Sequence, residues 1–135
     1  MKKFLFIAAV LTAFTFTSCE KEASKAIVGT WNTVSMETSY QGVNMNVNLA
    51  EIGLSMIFSF DKNGTGTIST TNNGQISSEP ITYIATESTL MMTDMYGEVI
   101  SAGMTISGKN MTLTLTSSDI VDEDGGPVIL HLVKM

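Results

Sequence analysis

The chain has 135 residues, with 13 acidic side chains against 7 basic ones, a single histidine and a formal charge of −6. That length suits one domain with a short appended segment, and the acidic balance excludes nucleic acid as a partner, because phosphate binding rests on clustered basic side chains. Every basic residue is Lys, so Arg forks are absent; the lone Cys19 forbids an intrachain disulfide, and no Cys/His cluster can build a zinc site.

Lys2 and Lys3 form a basic start, followed by the uncharged run Phe4–Phe16 and the small residues Thr17 and Ser18 before Cys19. The run falls short of the roughly 20 helical residues that span a bilayer core, so it is read as a secretory signal. With the only cysteine at its end, the segment resembles a bacterial lipoprotein signal. That family commonly has Leu at the third position before the cysteine, where Phe16 stands here. The competing reading is an ordinary cleaved signal with an accidental cysteine; a lipid-linked sulfur accounts for a thiol that would otherwise be free and reactive. The resemblance implies removal of residues 1–18 and acylation of Cys19, and several acyl chains together make a lasting membrane anchor. It places the chain in the bacterial cell envelope, as an outer membrane lipoprotein on the periplasmic face or the cell surface. Residues 19–26 form a polar tether, and its acidic residues after Cys19 resemble the export signals of some surface lipoproteins of the Bacteroidetes.

From residue 27 to 135 the sequence reads as one domain of strands. No stretch sustains a 3.6-residue apolar period, whereas period-two alternation recurs. Strands are expected near 28–39, 43–49, 54–60, 65–71, 75–84, 88–93, 98–106, 110–117 and 128–134. Val43, Met45, Val47 and Leu49 alternate with three asparagines, though this stretch also reads as a loop followed by a short helix at 49–53. Leu54, Met56, Phe58 and Phe60 share one face; Ile100, Ala102, Met104 and Ile106 share another, as do Met111, Leu113 and Leu115. Each strand buries one side and wets the other, the habit of antiparallel sheet. Asn63-Gly64 and Asn73-Gly74 read as type I′ hairpin turns. Tyr96-Gly97, Gly108-Lys109 and the stretch 122–127 mark further turns. About eight short strands at this spacing point to an all-β sandwich or barrel, and a closed barrel also removes exposed edges.

Ile27-Val28-Gly29-Thr30-Trp31 resembles the Gly-x-Trp opening of lipocalins. Together with the Phe58–Thr67 stretch FSFDKNGTGT and the final LHLVKM at Leu130–Met135, the layout resembles the small lipocalin-like lipoproteins of the Bacteroidetes. The resemblance implies an antiparallel up-and-down lipocalin-like β-barrel of about eight strands with room for an apolar cavity. In lipocalins an Arg late in the barrel covers the motif Trp; here Lys134 is the late basic residue.

Trp31 reads either as a ligand contact or as a structural plug at the closed end of the barrel. Gly29 beside it allows close backbone approach. Met56, Phe58, Phe60, Met104, Leu113 and Leu115 are the remaining cavity candidates, and the same side chains are large enough to fill the barrel instead. Met91, Met92 and Met95 do not repeat as a copper site does, and the methionines read as adaptable core. Residues 61–68 superficially match a calcium loop but lack its acidic fifth and twelfth positions, so a hairpin is preferred. Asp119, Asp122, Glu123 and Asp124 form an acidic loop, read as solvated rather than calcium-binding. His131 faces away from Leu130 and Leu132, with no nucleophile elbow in the chain to serve. Asn44, Asn46 and Asn48 line either a sugar-gripping face or a wet exterior. No catalytic residue, metal or cofactor is expected. The expectation is a monomeric, membrane-anchored binder of a small hydrophobic molecule, the alternative being a filled barrel that contacts a protein or glycan.

Overall fold

The structure, a computed structural model, describes residues 25–115 and 126–135, apart from the side chain of Tyr40. Nine strands follow one another: β1 (Gly29–Tyr40), β2 (Val43–Asn48), β3 (Leu54–Phe60), β4 (Thr65–Asn72), β5 (Gln75–Ala85), β6 (Thr89–Thr93), β7 (Val99–Ser107), β8 (Asn110–Leu115) and β9 (Val128–Lys134). All pairings are antiparallel, and β9 returns to β1, so eight strands close a barrel and β2 is extra. Closure joins the two edges of the sheet through β9 and β1, while residues 75–81 of β5 have no partner on β6.

The extra strand arises from a broken one. β2 pairs with residues 35–40 of β1 and β3 with residues 29–32, both along the same edge and in the same direction. Between them the chain makes a single 3-10 turn at Ala50–Ile52, ended by Gly53 in the left-handed conformation. Leu49 plugs this break: it is buried, its N–H donates to the Val34 carbonyl, and its own carbonyl accepts from Leu54 N–H. The expected strand and the expected short helix therefore both occur, in sequence. The apolar face of β2 is largely left outside the core, with Val43 62% and Met45 46% exposed. The hairpin of β1 and β2 rises past the barrel wall, beyond the side chains that would cover it.

Elsewhere the alternation reads directly as inside and outside. Phe58 and Phe60, Ile81, Tyr83 and Ala85, Leu90 and Met92, Ala102 and Met104, and Met111, Leu113 and Leu115 point inward with Leu130 and Leu132. Met91 and Met92 take opposite faces, 42% and 4% exposed. A bulge between Thr33 and Ser35 shifts the register of β1 against β9, keeping both Thr33 and Met36 on the inner side opposite Leu132 and Leu130.

The turns divide by type. Asn73 and Gly74 both have positive φ, as a type I′ turn requires. Asn63 does not; only Gly64 is left-handed, and its N–H donates to the Asp61 carbonyl. The expected I′ turn is thus a type I turn followed by a left-handed glycine, because the Asn63 carboxamide oxygen is engaged by the Thr65 N–H and hydroxyl. Residues 61–68 form this hairpin and no calcium loop.

Candidate functional site

The two ends of the barrel differ. At the closed end, residues 25–27 make one helical turn and Ile27 drops into the bottom of the core, fully buried. Trp31 lies beside it, also fully buried, and its Nε1–H donates to the Ile27 carbonyl at 2.8 Å. A buried indole needs such a partner, and this one ties the entering chain to the barrel floor. Lys134 covers the ring from β9, with Nζ 5.4 Å from the ring centroid. Gly29 makes room for it: a Cβ there would meet Lys134 Cε at 2.8 Å, and φ is +133°. Phe60 meets Tyr83 edge-on at 4.9 Å and lies 6.1 Å from Phe58. The Tyr83 hydroxyl donates to the Asp61 carbonyl, and burial followed by the nearby Asp61 charge raises its pKa above the usual 10.0.

The cavity candidates therefore separate by depth. Trp31 and Phe60 are sealed in the packed floor at 0–1% exposure, Phe58 pairs with Trp31 at 3%, and Leu113 and its partner Met104 lie further along the core at 0% and 5%. Trp31 takes the plug role. Met56 is different: it is half-buried and packs on the core from the upper half of the barrel. The inner face there is completed by Met36, Ile68, Ile100 and Val128, all half-buried, with Leu115, 8% exposed, paired to Val128. Sequence alternation places Met56, Ile100 and Leu115 on inner faces but carries no signal for depth along the barrel axis, and it does not single out Met36, Ile68 or Val128. Beside this apolar ring the inner face turns polar on β4 and β5, because Met56 pairs with Thr70, Thr70 with Ser77 and Ile68 with the exposed Glu79.

Two depressions lie on the wall. One, about 440 Å³, runs along the β1–β2 hairpin, where Glu37, Ser39, Asn44 and Asn46 share one face, and is bounded by Gly126 and Pro127. Asn48 serves another purpose, accepting the Ala50 N–H at 3.0 Å. The other, about 260 Å³, sits at the fork where β1 leaves β3, between Asn32, Thr33, Val34, Asn48 and Leu54. Thr33 is 3% exposed and its hydroxyl has no hydrogen-bond partner among the described residues.

His131 lies on the outer face, its Nε2 3.2 Å from Glu37 Oε2, both side chains about two-fifths exposed. The bulge in β1 sets this cross-strand contact, which sequence spacing alone does not show. Among the described residues no group of three or more His, Cys, Asp or Glu side chains is placed to hold a metal ion. No described helix is long and apolar enough to cross a membrane. Cys19 and the acidic stretch 119–124 lie outside the described residues.

Comparison with known proteins follows the fold. An uncharacterized protein from Bacteroides eggerthii superposes with a TM-score of 0.52 at 13% identity, covering 81% of this chain and 99% of its own. A de novo designed fluorescence-activating β-barrel gives 0.45 at 11% identity, covering 84% and 97%. No curated protein matches the sequence. The lipocalin-like domain model matches residues 27–122, from the turn beneath the barrel floor through the whole of β1 to β8, and the chain belongs to that lipocalin-like family.

Proposed function

We propose that the protein is an envelope lipoprotein that binds a small hydrophobic molecule, without catalysis, in the upper half of its barrel. One observation carries the reading: five half-buried apolar side chains, Met36, Met56, Ile68, Ile100 and Val128, gather in the upper half of the core, against one, Ile106, near the closed end. Flexible thioethers and β-branched side chains around an apolar throat suit a ligand held by shape and burial rather than by hydrogen bonds. The polar rim at Thr70, Ser77 and Glu79 is placed to meet the polar end of an amphiphile. Membership of the lipocalin-like family supports the same reading. Native mass spectrometry of the protein purified from its own membranes tests it. A retained hydrophobic molecule released by organic solvent is the expected result; bare protein that also takes up no added fatty acid or sterol contradicts it.

A second reading draws on the 440 Å³ groove of the β1–β2 hairpin, where a carboxylate, a hydroxyl and two carboxamides face the same way. That set suits the hydroxyls of a glycan or the backbone of a protein partner. Glu37→Ala with Asn46→Ala would then abolish the interaction while leaving uptake of hydrophobic molecules intact.

A further inference from the structure

The strand directions gather charges that the sequence scatters. At the closed end lie the entering turn at 25–27, the β3–β4 turn, the β5–β6 turn, the β7–β8 turn and the end of β9. All four lysines among the described residues, Lys25, Lys62, Lys109 and Lys134, stand there. They are neighbours as well: Lys134 N–H donates to the Lys109 carbonyl at 2.8 Å, and Gly29 pairs with Phe60, which brings the Lys62 turn beside the entry of β1. Lys25, Lys62 and Lys109 are exposed. Two acidic side chains among the described residues share this end. Asp61 belongs to the same turn as Lys62, and Glu87 lies on the β5–β6 turn, away from the β9–β1 seam. The other described acids, Glu37, Glu51, Glu79, Asp94 and Glu98, all lie toward the opposite half, which has no described lysine.

An acidic protein whose described lysines all surround the point where its N-terminal segment enters has a built-in polarity. The geometry points to an interaction surface: the closed end, on its β9–β1–β3 side, docks on an anionic phospholipid surface, so that the barrel mouth opens away from the bilayer. Lysines near an anionic leaflet each attract it within a Debye length, about 8–10 Å, and their flexible stems let the charge reach the headgroups. The acids of the opposite half are repelled by the same surface, which fixes the orientation. A ligand then enters from the aqueous side, not directly from the lipid beneath. The inference deepens the lipoprotein reading, which supplies the tether that keeps this end near the bilayer, but the charge placement stands without it.

Trp31 is the only tryptophan and marks the closed end, so energy transfer from it to a dansyl-headgroup lipid reports docking. The full chain is mixed with vesicles of phosphatidylcholine, or of three parts phosphatidylcholine to one part phosphatidylglycerol. Transfer is expected to be stronger on the anionic vesicles and to fall with added salt. Lys62→Gln with Lys109→Gln should lower the anionic-vesicle partition by about fivefold per lysine removed. Gln41→Glu with Gln75→Glu makes the same change in net charge at the far end and should leave transfer nearly unchanged. Equal transfer on both vesicle types, or equal loss from the two double variants, overturns the proposal. Flotation with pure phosphatidylcholine vesicles reads the lipid anchor separately, so a chain that fails to float but still shows anionic-dependent transfer contradicts only the anchor.

Discussion

Lys134 holds its ammonium 5.4 Å from the centre of the Trp31 ring, across the seam where the last strand meets the first. The contact links the two ends of the barrel sequence and covers the indole that plugs its floor. A cation over an indole contributes about 0.5–1 kcal/mol when exposed and about 2 when desolvated. Lys134 is half-buried, so Lys134→Ala is expected to cost about 1 kcal/mol in urea denaturation and Lys134→Arg much less. Trp31→Ala removes the plug itself and should cost about 3–5 kcal/mol.

Tyr83 and Asp61 make a pH-dependent latch below the core. The Tyr83 pKa is raised in the folded protein, first by burial and then by Asp61, so the folded state keeps its proton to higher pH than the unfolded chain does. Its stabilising effect is complete below the unfolded value of 10.0 and is lost as pH rises through the higher folded value. Tyr83→Phe should cost about 1 kcal/mol at neutral pH, the worth of one hydrogen bond. Above pH 10 the two proteins should converge in stability, read from denaturant midpoints.

Gly66 and Gly103 are both strand glycines but should respond oppositely. A Cβ on Gly66 would lie 2.3 Å from the Ser59 carbonyl oxygen, so β3 and β4 must part to admit it. Gly66→Ala is expected to destabilise by about 1–3 kcal/mol. At Gly103 the nearest atom is Thr114 Cβ at 3.7 Å, ordinary contact, and Ala there should be neutral or stabilising by about 0.4–1 kcal/mol. Thermal melts of the two variants separate them.

Thr33→Val should stabilise the protein by about 1 kcal/mol, because the hydroxyl it removes is buried without a partner among the described residues and the two side chains have the same shape. A loss of comparable size in chemical denaturation would mean that the hydroxyl is satisfied by a bound water or ligand at the fork.

Much of this architecture is legible in the sequence. Period-two alternation places Phe58, Phe60, Met104, Leu113 and Leu115 inside, and the strand boundaries follow the Gly and Asn punctuation, because one wet face and one dry face leave a direct mark on each strand. The break at Leu49–Gly53 was half legible: strand and helix signals were both present, but nothing local says that β2 and β3 share one edge of β1. That arrangement, and the exposure of Val43 and Met45 that follows from it, depends on pairing across the barrel. Site depth was not legible either. Phe60 and Met56 are indistinguishable by alternation, and only closure of the sheet puts one in the floor and the other in the throat. The same holds for Lys25, Lys62, Lys109 and Lys134, whose positions show no period until strand direction brings them to one end.

Uptake of a hydrophobic probe by the barrel throat is the decisive measurement for ligand binding. The purified protein is titrated with N-phenyl-1-naphthylamine, whose emission rises on leaving water, alongside Met56→Glu and Ile68→Glu. Both substitutions place a carboxylate in the half-buried apolar ring, above the sealed floor. The account predicts saturable, one-site binding by the unsubstituted protein and at least about a tenfold loss in each folded variant, since a charge in an apolar pocket must be desolvated by the ligand. Absence of saturable binding, or binding that both variants retain in full, would contradict it.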